Sequence, residues 1–257
     1  MSKRIFITGA AQGIGEAIAR KFHQQGYQVG IYDLDENKAQ ALAQQLGKRA
    51  KAGYLDVSNY RQWQMALKDF NLWAGGLDIL VNNAGILFSG AFEHTAIEKH
   101  QLTIDVNVKG VLNGCHAALP YLKQQKQTRI INLSSASAIY GQADLSSYSA
   151  SKFAVRGLTE ALDIEWSKYG IRVLDIMPLF VNTAMVVDMD AGSIQNMGVN
   201  LQASDVADVV YKAATSTQPL LATHHPVGLS TKLFYRLSGM SPQFLNRLTN
   251  RFLTRRS

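Results

Sequence analysis

A strict alternation of strand and helix patterns constrains the fold of this chain more than any other feature. Arg4–Thr8 is an apolar segment typical of a buried strand, and three glycines follow it, Gly9, Gly13 and Gly15. Helical periodicity then continues to about Gln25. Alternating strands and helices predict a parallel sheet that is covered by helices on both faces. We therefore predict an α/β fold with a doubly wound parallel sheet.

The later segments repeat this alternation within a single domain. Strand patterns lie at residues 28–33, 77–82, 129–134, 171–176 and 220–222, with a further strand that ends at 54–57, and helical patterns lie at 36–46, 60–73, 96–124, 148–169 and 205–215. Ser204 is the predicted N-cap of the last helix. Residues 182–200 are predicted to form an irregular, methionine-rich loop. We place a Rossmann-fold domain at residues 1–228 and a basic, amphipathic extension of it at residues 229–257.

The glycines after the first strand predict a phosphate-binding turn. Glycine tolerates unusual backbone conformations and lets a pyrophosphate approach the backbone closely. The helix that follows offers free N–H groups and the positive end of its dipole. The spacing is Gly-x-x-x-Gly-x-Gly and differs from the Gly-x-Gly-x-x-Gly of the commonest dinucleotide fingerprint. Because the turn lies between a buried strand and an amphipathic helix, we interpret it as a dinucleotide site rather than a simple tight turn.

An aspartate at the end of the second strand bears on the choice of dinucleotide. Asp33 follows Gly15 by 18 residues, where an acidic side chain can accept hydrogen bonds from a ribose 2′-hydroxyl. A carboxylate there repels a 2′-phosphate, and neither Gln12 nor Leu34 supplies a positive charge to receive one. The sequence therefore predicts NAD(H) rather than NADP(H). The alternative is that Asp33 only caps the following helix.

Tyr148 and Lys152 form a second candidate site. Residues four apart on a helix share a face, with Cβ atoms roughly 5–6 Å apart. A neighbouring ammonium group favours the phenolate form of tyrosine and lowers its pKa. The pair can therefore donate a proton to a carbonyl or take one from an alcohol. Alone it is a weak signal, because the same spacing arises by chance in many helices.

Five motifs in the right order resemble the short-chain dehydrogenase/reductase family, from about residue 3 to residue 183. Thr8–Gly15 is similar to the family's Thr-Gly-x-x-x-Gly-x-Gly motif, and Asn82–Gly85 to its Asn-Asn-Ala-Gly motif. Asp56–Val57 resembles the pair that contacts adenine. The resemblance implies a nicotinamide dinucleotide site formed by Thr8, Gly9, Gln12, Gly13, Ile14, Gly15, Asp33, Asp56, Val57, Asn83, Ala84, Gly85, Tyr148, Lys152, Pro178, Val181 and Thr183.

The resemblance also implies a catalytic tetrad of Asn107, Ser135, Tyr148 and Lys152. Ser135 precedes Tyr148 by thirteen residues, and on that spacing its neighbour Ser134 is rejected. Tyr148 is expected to exchange a proton with the substrate oxygen, and Ser135 to donate a hydrogen bond to it. Lys152 is expected to lower the tyrosine pKa and to hold the nicotinamide ribose. Asn107 is expected to hold a water that links Lys152 to solvent.

The chain departs from the family pattern after the sixth strand. The family usually has Pro-Gly-x-Val-x-Thr, whereas this chain has Pro178-Leu179-Phe180-Val181-Asn182-Thr183. Leu179 replaces the glycine, so the backbone there must avoid conformations that only glycine tolerates easily. The change bears on the shape of the substrate pocket near the nicotinamide.

The expected pocket wall is mostly apolar and favours a lipophilic alcohol, ketone or aldehyde. The candidate lining residues are Leu87, Phe88, Ala136 to Tyr140, Leu179, Phe180 and Ala184 to Met189. Methionines in this set can adapt to different ligand shapes. No His, Cys and Asp cluster has metal-ligand spacing, so no metal is expected. His224 and His225, beside Pro226, are expected to form a surface turn.

The positive charge of the chain is concentrated at its C-terminal end. Up to Asp208, the last acidic residue, the sequence holds 19 basic and 19 acidic residues, and seven basic residues follow. Phe244, Leu245, Leu248 and Phe252 repeat at helical spacing, with Arg247, Arg251 and Arg255 on another face. Such a segment either packs its apolar face on the body of the protein or on a partner subunit, or lies on an anionic membrane. No nucleic-acid partner is expected, because interleaved stacking aromatics are missing from the pattern.

Cysteine content and hydropathy bear on location. Cys115 is the single cysteine, so an intrachain disulfide is excluded, and we expect it to be a packing residue. No apolar run reaches the ~18 residues of a spanning helix. We expect a cytoplasmic protein, with peripheral membrane contact through the tail as an alternative.

The sequence as a whole predicts an NAD(H)-dependent oxidoreductase that interconverts an alcohol and its carbonyl on a lipophilic substrate. The competing hypothesis is a catalytically silent dinucleotide sensor or scaffold, against which the complete tetrad argues. The resemblance also implies a homodimer or homotetramer formed through the helices at residues 96–124 and 148–169.

Overall fold

One parallel sheet of seven strands is found in the computed structural model, which describes residues 3–187, 189, 191–218, 222–238, 247, 248 and 251. The strands of this described part are β1 (Arg4–Thr8), β2 (Gln28–Asp33), β3 (Ala50–Tyr54), β4 (Ile79–Asn82), β5 (Thr128–Leu133), β6 (Ile171–Met177) and β7 (His224–Pro226). Their order across the sheet is β3-β2-β1-β4-β5-β6-β7, and all neighbours pair in parallel.

Helices connect the strands on both faces. They are α1 (Gly13–Gln24), α2 (Glu36–Leu46), α3 (Tyr60–Ala74), α4 (Ile97–Ile104), α5 (Gly110–Leu122), α6 (Ser146–Trp166), α7 (Ala184–Val187), α8 (Gly192–Met197), α9 (Ala203–Thr215) and α10 (Leu229–Ser238). The strand order reverses between β1 and β4, so a crevice opens there at the carboxyl ends of the strands. The doubly wound α/β fold predicted from the alternation is confirmed.

Strand alternation divides the interior into two apolar cores. Ile5 and Ile7 of β1 point to one face and join the buried side chains of α1, α2 and α9. Phe6, between them, points to the other face and packs with Trp63 and Phe70 of α3. Cys115 of α5 is buried in this second core, as expected. Successive strand residues face opposite sides of a sheet, so a short apolar strand supplies both cores at once.

The long helix predicted at residues 96–124 contains a π-helical segment. Asp105–Lys109 joins α4 to α5 in this conformation, and it contains the buried Asn107. A π-helical turn holds an additional residue and re-aims its side chains, and such turns are frequent at functional sites. No local pattern in the sequence indicates it.

Several predicted boundaries differ from the structure. The third strand ends at Tyr54 rather than continuing to residue 57, and the expected loop at 182–200 contains α7 and α8. Ser204 lies inside the first turn of α9 and is not its cap. Gln202 is the N-cap, and its backbone N–H donates to Asp205 Oδ2 at 2.9 Å.

The last strand also corrects the interpretation of the two histidines. The predicted strand at 220–222 falls largely outside the described residues, and the observed β7 contains His224 and His225. His224 bonds through Nδ1 to the buried Asp175 at 2.9 Å and through Nε2 to Glu160 at 2.8 Å. The pair is therefore part of the sheet and not a surface turn. Most of the predicted C-terminal helical face, including Phe244, Leu245, Phe252 and Arg255, lies outside the described residues.

Candidate active site

A cavity of about 410 Å³ lies at the carboxyl ends of β1, β4, β5 and β6. Most of the residues that the sequence singled out line it. They are Gly9, Gln12, Gly13, Ile14, Asp33, Asp56, Val57, Asn83, Ala84, Gly85, Ser135, Tyr148, Lys152, Pro178, Val181 and Thr183. Thr8, Gly15 and Asn107 do not line it. Thr8 and Asn107 hold neighbouring parts of the wall through hydrogen bonds, and Gly15 lets the turn pack closely.

The glycine turn forms a cradle that side chains would fill. Gly9 has a φ of +59°, and a Cβ there would lie 2.7 Å from the Ala84 α-carbon. A Cβ on Gly15 would collide with the carbonyl oxygen of Gly9. The backbone of α1 can therefore approach the end of β1 only because these residues lack side chains. The N-terminus of α1 is left facing the cavity, where it can receive a phosphate group.

Thr8 and Asn83 fix the position of this turn. The Thr8 hydroxyl oxygen accepts hydrogen bonds from the backbone N–H groups of Asn83 and Ala84, both at 3.1 Å. Asn83 Nδ2 donates to the carbonyl oxygens of Thr8 at 3.0 Å and Gly9 at 2.8 Å. The ends of β1 and β4 are thus tied together beneath the cavity.

Asp33 stands at the end of β2 with its carboxylate directed at the turn. Oδ2 accepts from the backbone N–H of Ala11 at 2.9 Å and Oδ1 from that of Asp35 at 3.0 Å. The cap of α2 is Asp35, whose side chain accepts from the Lys38 N–H at 3.1 Å. The helix-capping alternative for Asp33 is therefore wrong. A carboxylate oxygen has several lone pairs, so Asp33 retains acceptor capacity for a ribose.

Asp56 and Val57 form the neighbouring part of the wall. Asp56 Oδ1 accepts from the backbone N–H of Ser58 at 2.9 Å and from its hydroxyl at 2.7 Å. The Val57 carbonyl oxygen accepts from Trp63 Nε1 at 3.0 Å. These bonds hold the segment after β3 rigidly at the cavity edge.

Tyr148 and Lys152 lie one turn apart on α6. The Lys152 amine is buried, and its Nζ lies 5.4 Å from the centroid of the Tyr148 ring. Burial lowers the pKa of Lys152 to about 8. Burial also raises the pKa of Tyr148, and a hydrogen bond with Ser135 opposes that rise. The lowering of this pKa by Lys152 stays a prediction; the net shift from burial and Ser135 is upward, so the phenol is protonated at neutral pH.

Ser135 begins a single 3₁₀ turn, Ala136–Ala138, and its hydroxyl caps that turn. Ser135 Oγ accepts from the Ser137 N–H at 3.1 Å, and its own hydroxyl can donate to Ser137 Oγ at 3.3 Å or to the Pro178 carbonyl oxygen at 3.4 Å. Both of these donor contacts are long. Ser134, rejected on spacing, donates instead to the Lys152 carbonyl oxygen at 3.3 Å and so joins β5 to α6.

Asn107 is buried, and hydrogen bonds hold both of its side-chain polar atoms. Oδ1 accepts from the Ile86 N–H at 2.8 Å, and Nδ2 donates to the Ile86 carbonyl oxygen at 2.9 Å and to Ser151 Oγ at 3.1 Å. A Cβ on Gly85 would lie 3.2 Å from Asn107 Oδ1 and 3.7 Å from Lys152 Nζ. The amide oxygen and the amine therefore face one small space that Gly85 keeps open.

The apolar part of the wall differs in places from the sequence expectation. Leu87, Ser137, Leu179, Phe180, Ala184, Met185 and Met189 line the cavity. Phe88 instead has the Lys99 amine 5.3 Å from its ring centroid, and Ala136, Ala138 and Ile139 form a buried cluster with Met177. Residues 188 and 190 lie outside the described part. Leu34, Ile86 and Leu133 line the cavity but were not singled out, although each adjoins a motif residue or ends a strand.

Leu179, which replaces the family's usual glycine, has an unstrained backbone conformation. In the described residues, the non-glycine positions with positive φ are Gln127 and Asp144. Leu179 therefore avoids the left-handed region, as expected for a residue that replaces glycine. Its side chain lies between the cavity and two small apolar clusters, which contain Met177 and Phe180. Within the described residues, no group of three or more His, Cys, Asp or Glu side chains is placed to hold a metal.

Comparison with known proteins agrees with this geometry. The family model described as short chain dehydrogenase matches residues 3–193. A 3-alpha-(or 20-beta)-hydroxysteroid dehydrogenase of Mycobacterium bovis is 37% identical over 185 residues, which cover 72% of this chain and 71% of the relative.

Two solved structures share the fold. One is a 3-ketoacyl-(acyl-carrier-protein) reductase from Brucella melitensis complexed with NADH, with a TM-score of 0.81 and 31% identity over 88% of this chain and 96% of that one. The other is a gluconate 5-dehydrogenase from Burkholderia cenocepacia in complex with NADP and tartrate, with a TM-score of 0.82 and 27% identity over 91% of this chain and 96% of that one. The chain belongs to the short-chain dehydrogenase/reductase family of nicotinamide-dependent oxidoreductases.

Proposed function

We propose that this oxidoreductase interconverts an alcohol and its ketone or aldehyde on a lipophilic substrate, with NAD(H) as cofactor and Asn107, Ser135, Tyr148 and Lys152 as its catalytic residues. The observation that carries the proposal is the meeting of Ser135, Tyr148 and Lys152 on one cavity whose other end is the glycine cradle. A proton donor and a dinucleotide site then share one chamber.

The glycine cradle and the walls beside it suit a dinucleotide. The space left by Gly9 and Gly15 and the N-terminus of α1 would receive the pyrophosphate. Asp33, Asp56 and Val57 would hold the adenosine, and Pro178, Val181 and Thr183 would contact the nicotinamide. When bound, the nicotinamide supplies or accepts the hydride, and the protein supplies position and electrostatics.

Tyr148 would exchange the proton at the substrate oxygen. Its raised pKa keeps the phenol protonated at neutral pH, which is the form that carbonyl reduction requires. The Ser135 hydroxyl makes two long donor contacts, 3.3 and 3.4 Å, so it can turn to the substrate oxygen at little cost. Because the Ser137 N–H already donates to Ser135 Oγ, the Ser135 O–H is the group that can turn from these contacts and donate to the developing negative charge.

Lys152 and Asn107 would carry protons between Tyr148 and solvent. A lysine whose pKa is about 8 can release and regain a proton near neutral pH. The space beside Gly85 separates Lys152 Nζ from Asn107 Oδ1, and we assign a water-mediated link to it. The bonds of Asn107 to Ile86 and Ser151 keep its amide oxygen in place.

The preference for NAD(H) rests on Asp33. One similar structure contains NADH and the other NADP, so likeness alone does not decide between them. The two backbone bonds of Asp33 hold its carboxylate beside the turn, where a 2′-phosphate would be repelled and a 2′-hydroxyl accepted.

The apolar wall supports a lipophilic substrate. Leu87, Leu179, Phe180, Met185 and Met189 line the substrate end of the cavity. The name of the mycobacterial relative specifies a hydroxysteroid, which is a substrate of this class.

Exposed apolar residues on α4, α5 and α6 support a homodimer or homotetramer. Leu102, Leu112, Phe153 and Ile164 are 46%, 46%, 42% and 77% exposed. Exposed apolar residues concentrated on neighbouring helices are typical of an association surface.

The proposal is tested by following NADH absorbance with steroid, retinoid, long-chain and aromatic alcohols and their carbonyl partners. We expect turnover with at least one lipophilic pair and a higher kcat/KM with NAD(H) than with NADP(H). Dinucleotide binding without turnover of any pair would favour the silent sensor instead.

A further inference from the structure

Helix α10 exposes a row of leucines to solvent. Leu229, Leu233 and Leu237 follow one another at four-residue intervals and are 86%, 56% and 45% exposed. Residues at this spacing share one face of a helix. Three large apolar side chains on one exposed face indicate an interaction surface rather than ordinary surface variation.

Two cations border this leucine row. Lys232 and Arg236 are exposed and lie one turn apart beside it. No acidic residue follows Asp208 in the sequence, so nothing in this region of the chain neutralises them, and five further basic residues lie in the same stretch. Leucines flanked by uncompensated cations match the chemistry of an anionic lipid surface, whose acyl chains accept the leucines and whose headgroups accept the charges.

The opposite face of α10 is anchored to the body beside the cavity. Phe234 packs against Tyr140 with ring centroids 6.5 Å apart, and Arg156 lies 5.4 Å from the centroid of the Tyr235 ring. Phe234 and Tyr235 share an apolar cluster with Leu179, which lines the cavity. The leucine row therefore faces solvent, whereas the opposite face of α10 packs beside a residue that lines the substrate pocket.

We propose that α10 docks the protein on an anionic lipid bilayer, with Leu229, Leu233 and Leu237 in the acyl boundary and Lys232 and Arg236 at the headgroups. The helix lies on the surface: no helix in the described part of the chain is long and apolar enough to cross a membrane. A second copy on the same face is disfavoured, because a two-fold axis would bring the like charges of two α10 helices together. The docked face places the pocket next to a store of lipophilic molecules.

The test is co-sedimentation of the full chain with vesicles of phosphatidylcholine alone or with phosphatidylglycerol added. We expect binding to the anionic vesicles that weakens as salt is raised. We expect Leu229→Ser with Leu233→Ser, and separately Lys232→Ala with Arg236→Ala, to weaken that binding about ten-fold or more.

Matched controls come from α3, which exposes similar residues elsewhere. Met65 and Leu72 are 55% and 75% exposed, so Met65→Ser with Leu72→Ser removes comparable apolar surface. Arg61→Ala with Lys68→Ala removes two exposed charges. Both control proteins should bind vesicles as the unaltered chain does.

Absence of binding to anionic vesicles, or equal binding by all variants, would overturn the proposal. So would a loss of oligomers with unchanged vesicle binding in the leucine variant, since a second copy would then occupy the face. Vesicle binding is measured without substrate or turnover, and Tyr148→Phe should leave it intact. The outcome is therefore independent of the proposed function.

Discussion

Asn107 Oδ1 and Lys152 Nζ face the same small space beside the α-carbon of Gly85. A Cβ at Gly85 would lie 3.2 Å from the amide oxygen and 3.7 Å from the amine. These two groups come from different elements, the π-helical segment and α6. Gly85 belongs to the Asn-Asn-Ala-Gly motif of the dinucleotide site. The space left by its missing side chain is also part of the proposed proton path.

Gly85→Ala should therefore disturb the chemistry more than the fold. The new methyl group pushes against Asn107 Oδ1 and narrows the space, so we expect kcat to fall about ten-fold or more. Steady-state kinetics and thermal unfolding measure the two effects. Gly157→Ala on α6 is the matched control: its Cβ meets nothing within 4 Å, so it should keep full activity and gain about 0.5–1 kcal/mol in stability. Equal kcat values for the two variants would contradict the assignment of this space.

The direction of the reaction should set its pH dependence. Tyr148 must be protonated for carbonyl reduction and deprotonated for alcohol oxidation, and its pKa is raised. Lys152, with a pKa of about 8, loses its proton as the pH rises past that value. Oxidation should therefore accelerate from pH 7 to 9, while reduction slows. Initial rates in both directions across this range check the prediction, and an oxidation rate that falls over the same interval would oppose it.

Asp33→Asn should shift the cofactor preference. It removes the charge that repels a 2′-phosphate and one acceptor for the ribose, and hydrogen bonds to charged groups contribute about 1.5–3 kcal/mol. We expect the ratio of kcat/KM for NAD(H) to that for NADP(H) to fall by about ten-fold to a hundred-fold. Asp35→Asn removes a charge two residues away and serves as the control, with little change in the ratio. An unchanged ratio in Asp33→Asn would show that Asp33 does not determine the cofactor preference.

The hydrogen-bonded pair of the buried Asp175 and the half-buried His224 should make stability depend on pH. Their hydrogen bond raises the pKa of His224 above its ordinary value of 6.5, even though burial opposes this. A raised histidine pKa gives stability that is fully present below pH 6.5 and is lost as the pH rises through the folded value.

The His224→Gln variant isolates this effect. It should lower the free energy of unfolding by about 2 kcal/mol at pH 6, since the buried Asp175 carboxylate loses a partner. The difference from the unaltered chain should shrink toward pH 9. Chemical denaturation at several pH values measures it, with His94→Gln at an exposed site as control. A difference in unfolding free energy that grows with pH would contradict a raised pKa of His224.

Features set by local pattern were predictable from the sequence. The glycine turn, Asp33 and the spacing of Tyr148 and Lys152 follow from short-range rules of strand, turn and helix, and they line the cavity as expected. The doubly wound parallel sheet was predictable because alternating strands and helices leave few compact arrangements, although the order of the strands was not predicted.

Features set by distant partners were not predictable. His224 next to His225 and Pro226 has the composition of a turn, but its side chain bonds to Asp175 and Glu160, which are 49 and 64 residues away. The π-helical turn at Asn107 is held by bonds to Ile86 and Ser151, which are also remote. The effect of burial on the pKa of Tyr148 likewise exists only once the chain is folded.

The most direct test of the proposed mechanism is the Tyr148→Phe variant, because it removes the hydroxyl and keeps the ring. General acid–base catalysis by a positioned side chain contributes about 10²–10⁴-fold, so kcat should fall at least about a hundred-fold. NADH binding, measured by fluorescence titration, should stay nearly unchanged because the glycine cradle is intact. This combination of lost turnover and retained binding is the result that we predict, and a variant with near-normal kcat would contradict the role of Tyr148.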